Sequence, residues 1–424
     1  MSKSLRKGLF SFIVLLIIYQ DSPLGLYAGA FGYSFVPIFS LMLFAIIILI
    51  EKGKVLKDKY IKGFVRIFIY LTIVSFVAVI VWAFMGKPLV ILHEDIFSKT
   101  FKGLLYFLSY ICFLYDMKYL SQYMGKNEFV KPIFIVFILL TLIAIIEYFT
   151  LPNAFSFLHF TGGKHYGRIR LLSKESSWTS MTIFVYGILS LYYSFIKRNK
   201  LYLYLTIICF AILILLTSSK TLLIVFFIAL IIALMINAKK MTKKSIVISI
   251  ILLALGLGGY FLLSGKLSSA IERSLQWSSI FTRVYTILIG LIIGVVYPLG
   301  TGTAIYLKVF PDFLKKYLYL IKTYDNGYSL REIKSYIYAN SSEYIAVKSG
   351  LLHYNMYWGI IGTIWFLKVF ILNIYVPFVK LNENYSLVIQ VGLIVSIIML
   401  LFSTSFTFEF WLMISFAIFC LNKQ

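Results

Sequence analysis

The most constraining feature of this chain is a succession of apolar runs, each long enough to cross a lipid bilayer. A spanning helix needs about 17–25 mostly apolar residues, and hydrophobic residues make up 61% of the 424 positions, against 13% that are charged. A soluble core cannot bury so much apolar surface. We therefore predict an all-α polytopic membrane protein with about twelve transmembrane helices. The predicted spans are residues 8–27, 32–50, 64–84, 102–120, 132–151, 177–196, 201–217, 221–237, 246–264, 352–374, 386–402 and 404–421.

Lysine and arginine are concentrated in alternate links between these runs. Short cytoplasmic loops carry an excess of these residues, so we predict that both termini are cytoplasmic. The first apolar run follows Lys3, Arg6 and Lys7 without a small-residue cleavage site, and we interpret it as an uncleaved first helix. The basic links are residues 3–7, 52–66, 126–131, 197–200 and 239–244.

The net charge of +24 does not indicate a nucleic-acid-binding protein. The basic residues are distributed over short loops, and no soluble basic domain is present to hold a duplex. Cys112, Cys209 and Cys420 lie far apart in apolar runs, which is typical of packing residues and not of a disulfide framework or zinc site.

Two longer links lie on the opposite, extracytoplasmic face. The first nine predicted helices occupy residues 1–264, and the first of these links, residues 152–176, joins the fifth of them to the sixth. The second is the large loop 265–351, and the last three helices follow in residues 352–424.

The large loop contains further apolar stretches. Val284 to Tyr297 is too short to span comfortably, so we predict a re-entrant or interfacial segment. Lys308 to Lys322 has an apolar face flanked by lysines, which predicts an interfacial helix.

The first loop carries the densest charge cluster between two apolar runs. Arg168 and Arg170 suit the multidentate binding of a phosphate or diphosphate, with Lys174 in support. Glu175 is a candidate base, or it neutralises one of these cations. The alternative is a solvated basic loop at the membrane edge.

Three further positions on this face are candidates for the same site. Lys220 lies in a tight link between two apolar runs, and Arg283 lies where the large loop returns toward the membrane; the alternatives are a turn lysine and an interfacial anchor. His353 can act as a base or donate to a phosphate, with Asn355 beside it, or it is a partly solvated helix-end residue.

Acidic residues offer a weaker rival site. The outer-loop sequence His93-Glu94-Asp95 is interpreted as solvated surface. No DxD motif occurs and the histidines are scattered, so we predict no metal site. Glu147 and Glu409 lie inside apolar runs near their outer ends, where a carboxylate must face the protein interior and pair with a basic residue of the outer loops.

Four short segments recur in a fixed order, and together they resemble the O-antigen polymerase and ligase superfamily of Wzy-type and WaaL-type membrane glycosyltransferases. Serine replaces the family's proline after Glu175, Lys220 replaces an arginine, and one residue is inserted between His353 and Asn355. The glutamate is closer to the polymerases than to the ligases. The segments are Arg168-x-Arg170…Glu175-Ser-Ser, Ser218-Ser-Lys220-Thr221, Arg283 followed by Tyr297-Pro298-Leu-Gly300-Thr-Gly302, and His353-Tyr-Asn355-Met-Tyr…Gly359-Ile-Ile-Gly362.

The resemblance implies a GT-C-like enzyme in the bacterial inner (plasma) membrane that polymerises undecaprenyl-diphosphate-linked oligosaccharide repeat units of O-antigen or capsule on the extracytoplasmic face. Donor and acceptor would both be lipid-linked, a chain-length regulator is a possible partner, and no cofactor or metal is implied. A set of four cations would bind the diphosphate, and Glu175 or His353 would act as the base. We expect direct displacement with inversion at the anomeric carbon. The cations in that set are Arg168, Arg170, Lys220 and Arg283.

Two alternatives stay open. An O-antigen ligase would transfer the finished polymer to lipid A-core. A transporter or flippase of lipid-linked sugars would place its functional charges at mid-membrane, whereas here the candidates gather on one face and the two halves of the sequence show no repeat.

Overall fold

The computed structural model is about 80% helical, with a single two-stranded hairpin among the residues that it describes. These residues are 1–52, 57–151, 155–160, 169–174, 176–217, 220–237, 278–319, 329–342, 345–381, 386–402 and 406–423. The elements in chain order are α1 Lys3–Ile17, α2 Gly25–Ala28, α3 Ala30–Tyr33, α4 Val36–Glu51, α5 Ile61–Phe84, β1 Val90–Ile91, β2 Glu94–Asp95, α6 Ile96–Ser121, α7 Lys126–Thr150, α8 Ser176–Lys197, α9 Lys200–Thr217, α10 Lys220–Asn237, α11 Ser278–Val296, α12 Gly302–Lys316, α13 Ser329–Ile337, α14 Gly350–Val369, α15 Val376–Lys380, α16 Ser386–Met399 and α17 Phe408–Asn422.

The prediction of an all-α membrane protein agrees with this helix content. Five helices are long and apolar enough to cross a bilayer, and four shorter apolar helices accompany them among the described residues. The predicted ninth span, 246–264, lies outside the described residues. The five long helices are Ile61–Phe84, Lys126–Thr150, Trp178–Lys197, Lys200–Thr217 and Gly350–Lys380. The last of these is α14 and α15 joined through a π-helical turn, Phe370–Tyr375.

The first predicted span is wrong in its second half. Helix α1 ends at Ile17, and the chain continues as a turn and the two short helices α2 and α3. At this point the Gln20 backbone N–H donates to the Leu172 carbonyl at 2.9 Å. Asp21 is fully buried. A carboxylate with partners in another loop stops the helix, because continuing it would carry Asp21 away from them.

Ion pairs and hydrogen bonds join one set of helix ends, which we call the basic end. Lys7 of α1 pairs with Glu128 of α7. Lys118 of α6 lies 3.0 Å from Asp58, and the same carboxylate accepts a 3.0 Å hydrogen bond from Asn422 at the end of α17. The basic end therefore gathers both ends of the described chain and the described parts of the basic links 52–66, 126–131 and 197–200. It comprises residues 3–7, 51–52, 57–62, 118–128, 197–200 and 422–423.

The opposite set of helix ends, which we call the site end, contains the five candidate residues whose side chains the structure describes, Arg170, Lys174, Arg283, His353 and Asn355. It comprises residues 17–22, 90–99, 147–160, 169–182, 282–286, 349–357 and 400–409, within the described ranges. Backbone contacts join these segments: the Phe160 N–H donates to the Asp21 carbonyl, and the Leu351 N–H donates to the Leu400 carbonyl at 3.0 Å.

Helices α11 and α12 form a hairpin that enters the bundle from the site end and returns to it. The Tyr285 hydroxyl donates to the Leu314 carbonyl at 2.8 Å, which joins the start of α11 to the end of α12. At the turn, the Thr301 N–H donates to the Met356 carbonyl at 2.8 Å. Since α14 rises about 1.5 Å per residue, the turn lies about 10 Å from its first residue. The hairpin thus turns inside the bundle, and the re-entrant position of Val284 to Tyr297 in a membrane stays a prediction.

Close backbone packing at this turn requires glycine at position 359. Gly359 has φ +68°, and a Cβ there would collide with the Pro298 carbonyl. Any residue with a side chain would therefore have a strained backbone angle and would also clash with that carbonyl.

The predicted interfacial helix at 308–322 has different bounds. Helix α12 starts earlier, at Gly302, and ends at Lys316. Its first half packs inside the protein, with Tyr306 and Phe310 buried. Only its lysine-bearing second half reaches the surface.

Candidate functional site

The loop 169–174 folds into the bundle and is held there by a buried carboxylate of α7. Glu147 accepts hydrogen bonds from the backbone N–H groups of Arg170 at 2.9 Å and Leu171 at 2.8 Å. Leu171 has φ +52°, a conformation that L-residues rarely adopt. These two hydrogen bonds stabilise that conformation.

Arg170, Asp21 and His159 form a buried charged group. Arg170 Nη1 lies 3.7 Å from Asp21 Oδ2, and His159 Nδ1 lies 2.9 Å from the same oxygen. The Arg170 and Asp21 side chains are 2% and 0% exposed. Asp21 Oδ1 and His159 Nε2 have no hydrogen-bond partner among the described residues. The Arg170 guanidinium thus faces an internal carboxylate.

Glu409 extends this buried polar group to α17. The Gln20 side-chain amide donates to Glu409, and the Thr182 hydroxyl donates to Glu409 Oε1 at 2.5 Å. Glu409 is fully buried, and its Oε2 has no partner in the described part of the chain. As expected, Glu147 and Glu409 both face the interior, but their hydrogen-bond partners are backbone, amide and hydroxyl groups.

His353 lies one turn into α14 within a group of aromatic rings. The Tyr357 hydroxyl lies 2.5 Å from His353 Nε2, and the Tyr306 ring is 5.3 Å from the imidazole, edge to face. The His353 Nδ1 atom has no hydrogen-bond partner among the described residues. One ring nitrogen is therefore fixed by a hydroxyl while the other retains its bonding capacity.

Asn355 joins the re-entrant hairpin to α14. Its Nδ2 donates to the Gly290 carbonyl at 2.9 Å, and its Oδ1 accepts from the Thr363 hydroxyl at 2.8 Å. The side chain is fully buried and lies against Gly294, where any Cβ would overlap it. Asn355 thus positions α11 relative to His353.

Arg283 and Lys174 lie at the surface of the site end. Arg283 Nη1 donates to the Phe402 carbonyl at 3.1 Å, close to the link between α16 and α17. Lys174 Nζ lies 4.8 Å from the centre of the Tyr33 ring, a cation–π distance. Unlike Arg170, these two cations are partly exposed.

The hairpin β1–β2 holds Glu94 at the site end in a partly buried position, whereas the sequence predicts solvated surface there. Glu94 accepts hydrogen bonds from the Ser342 hydroxyl at 2.6 Å and from Lys99 Nζ at 3.1 Å. Lys99 is close enough to act electrostatically on His353. Burial raises the pKa of Glu94, but the bond from Ser342 and the charge of Lys99 outweigh it, so the net pKa lies below its usual range.

Leu92 and His93 explain how Glu94 reaches that position. Both have positive φ, 52° and 63°, as the two central residues of a type I′ hairpin turn require. Asp95, next to Glu94, accepts from the Ser98 N–H at 2.7 Å and caps α6. The turn and the cap together direct Glu94 toward Lys99 and Ser342.

The structure therefore brings the described candidates into two groups at the site end. Arg170 belongs to the Asp21–His159 group, and His353 and Asn355 belong to the group around α14. Arg283 lies at the surface against the Phe402 carbonyl. Arg168 and Glu175 lie outside the described residues, and Lys220 is described only as the first residue of α10.

Sequence reasoning missed Asp21 and undervalued Glu94. Asp21 lies within the predicted span 8–27, so the signal that singled out Glu147 and Glu409, a carboxylate in an apolar run, was also present there. Glu94 had no such signal, because its partner Ser342 is 248 positions away.

No family model matches the chain, and neither curated proteins nor solved structures give a significant match. Among the described residues, no group of three or more His, Cys, Asp or Glu side chains could hold a metal ion. The contacts at the site end are therefore the physical basis for assigning a function.

Proposed function

We propose that this protein is a Wzy-type membrane glycosyltransferase that polymerises undecaprenyl-diphosphate-linked repeat units. The proposal includes about twelve spans, a GT-C-like arrangement and a site on the extracytoplasmic face of the bacterial inner membrane. One observation supports it: Arg170, Arg283 and His353, which are far apart in sequence, all lie at the site end, opposite the described lysine-rich segments of the basic end. By the positive-inside rule the site end is then extracytoplasmic.

In the proposed reaction an acceptor sugar hydroxyl attacks the anomeric carbon of the donor. The new C–O bond forms as the bond to the diphosphate breaks, the lipid diphosphate leaves with the electron pair, and a base takes the hydroxyl proton. The departing charge needs hydrogen-bond donors aimed at it. Arg283, Arg168 and Lys220 supply them in this proposal, with Lys174 in support.

Arg170 has a different part in the same proposal. Its guanidinium lies inside the bundle against Asp21, and its backbone is held by Glu147. It therefore acts as a positioning residue for the loop that carries Arg168, Lys174 and Glu175.

His353 and Glu175 are the two proposed bases. His353 is supported by its geometry: the Tyr357 hydroxyl fixes Nε2, and Nδ1 has no described partner. In the tautomer in which Nε2 carries the ring proton and donates it to Tyr357, Nδ1 has a free lone pair. Nδ1 is then the atom that accepts the proton of the acceptor hydroxyl.

Arg283 provides the sharpest test, because it is partly exposed and its loss leaves no buried charge. Purified protein is given a lipid-linked repeat unit, and product length is measured by gel. We expect Arg283→Ala to reduce long-chain product by about 100-fold, as for the loss of one donor to a developing oxyanion. Arg283→Lys should retain part of the activity. The control variant Arg198→Ala, at the basic end, should retain all of it. Normal product from Arg283→Ala, with an unchanged Tm, would refute the diphosphate role.

The base is tested with Glu175→Gln and His353→Ala in the same assay. Loss of turnover in one variant with retained lipid-linked donor binding identifies that residue. Full activity in both excludes both.

The product also separates the proposal from its alternatives. Lengthened lipid-diphosphate chains indicate a polymerase, whereas polymer attached to lipid A-core indicates a ligase. Movement of the labelled unit across a vesicle membrane without a new glycosidic bond indicates a transporter.

A further inference from the structure

A groove at the basic end, between α4, α5 and α6, is not used by the proposed reaction. Its volume is about 740 Å³. Most of its wall is apolar, and three lysines lie together at the end nearest the α5 N-terminus. The lining residues are Phe44, Lys57, Asp58, Lys59, Lys62, Val65, Phe68, Ile69, Leu108, Ile111 and Tyr115.

The positive charge at this mouth is not neutralised by the carboxylate within it. Asp58 Oδ1 accepts from the backbone N–H groups of Tyr60 and Ile61 at 2.8 and 3.0 Å. Its Oδ2 is bonded to Lys118 and Asn422. Both oxygens are therefore saturated by partners other than the mouth lysines.

Lys57, Lys59 and Lys62 are all exposed and pair with no carboxylate among the described residues. Lys62 to Ile69 covers about 10 Å along α5 at about 1.5 Å per residue. The groove thus combines a cationic mouth at a helix end with an apolar channel running toward the membrane interior, and Ile69, 51% exposed, opens it to the side.

We propose that this groove binds one anionic phospholipid from the leaflet that meets the basic end. The headgroup phosphate would contact Lys57, Lys59 and Lys62, and an acyl chain would lie along Val65 and Ile69. Basic pockets between membrane helices are suited to anionic headgroups. A free phosphate would satisfy the lysines but leave the apolar channel without a ligand, so the shape favours a lipid.

The lipid can be detected by native mass spectrometry of the full chain in neutral detergent. Phosphatidylglycerol and phosphatidylcholine with the same acyl chains are added in turn. We expect one phosphatidylglycerol to be retained per chain in preference to phosphatidylcholine. Substituting Lys57→Gln, Lys59→Gln and Lys62→Gln together should weaken its binding by about 100-fold, given about a fivefold effect per lysine.

A control triple at the same end separates a site from general surface charge. Lys197→Gln, Arg198→Gln and Lys200→Gln also remove three exposed cations. This control should change phosphatidylglycerol binding by less than about threefold, because charges beyond the Debye length are screened. Equal losses in the two triples would overturn the proposal.

The apolar channel is tested with a bulky side chain. Ile69→Trp should weaken phosphatidylglycerol binding, while Ile73→Trp, one turn further along α5 and similarly exposed, should not. Soluble glycerol phosphate is the third ligand. If it binds the wild-type protein as tightly as the lipid does, or if Ile69→Trp changes nothing while Tm is preserved, the lysines form a phosphate site alone and the lipid proposal is wrong.

Discussion

Two buried aspartates, one at each end of the bundle, differ in how fully they are bonded. Asp58 at the basic end accepts four hydrogen bonds, two at each oxygen. Asp21 at the site end shares Oδ2 between His159 and Arg170, and its Oδ1 has no described partner. Both oxygens of Asp58 are therefore saturated, whereas one oxygen of Asp21 retains unused bonding capacity.

This difference separates two uses of charge in a membrane protein. At the basic end, Lys7 and Glu128 are 38% and 43% exposed and pair at the rim, where charge orients the chain at little cost. At the site end the Arg170, Asp21 and His159 side chains are at most 2% exposed. A buried carboxylate with one oxygen that lacks a described partner, as in Asp21, destabilises a fold, and it is retained where a structure or a reaction requires it.

The largest effect should come from removing the charge of each aspartate in turn. Asp21→Asn removes the buried carboxylate that lies 2.9 Å from His159 and 3.7 Å from the Arg170 guanidinium, so we expect a loss of about 3–5 kcal/mol of unfolding free energy. Asp58→Asn keeps a carbonyl oxygen for the Tyr60 and Ile61 amides, and the partly exposed Lys118 becomes solvated, so we expect about 1 kcal/mol. Unfolding in mixed micelles measures both. Equal losses would remove the distinction between the ends.

A second pair of variants uses the two ends of one helix. Glu147 and Glu128 both lie on α7 and both accept from backbone N–H groups. Glu147→Gln retains one acceptor oxygen for the two amides that hold Leu171 at positive φ, so we expect a loss of about 1–3 kcal/mol. Glu128→Gln, at the exposed end, should cost less than about 1 kcal/mol. A larger loss for Glu128→Gln would reverse the comparison.

The helix positions, and which helix ends carry the basic residues, can be predicted from local sequence. The contacts among the residues of the site end cannot. Apolar runs and basic links are read within windows of about 20 residues, and most described helices fall on predicted spans. Asp21, in contrast, ends α1 because of partners 138 and more positions away. The long-range pairs of Glu94 with Ser342 and of Gln20 with Glu409 have no local pattern, so only the folded chain brings them together.

The third comparison concerns two tyrosine hydroxyls. Tyr357 bonds to His353 at the site end, and Tyr119 accepts from Arg6 at 2.8 Å at the basic end. We expect Tyr357→Phe to lower kcat by about tenfold with little change in KM, because the imidazole loses its fixed orientation. Tyr119→Phe should lower stability by about 1 kcal/mol and leave kcat unchanged. Loss of stability without loss of turnover in Tyr357→Phe would make that hydroxyl purely structural.

The smallest effect should be the pH dependence contributed by Glu94. Its pKa in the folded protein is depressed by the Ser342 hydroxyl and the Lys99 charge, in excess of the opposing effect of burial. The stabilisation is therefore present above the unfolded pKa and is lost as pH falls through the lower, folded value. Glu94→Gln should lower Tm at pH 7, and the difference from the wild-type protein should shrink below about pH 4.5.

Glu332→Gln, which removes the carboxylate that pairs with Lys348 at 3.3 Å, is the control for a general loss of surface pairing. A Tm difference that is constant from pH 7 to pH 3.5 would show that Glu94 contributes no charge-dependent stability at the site end.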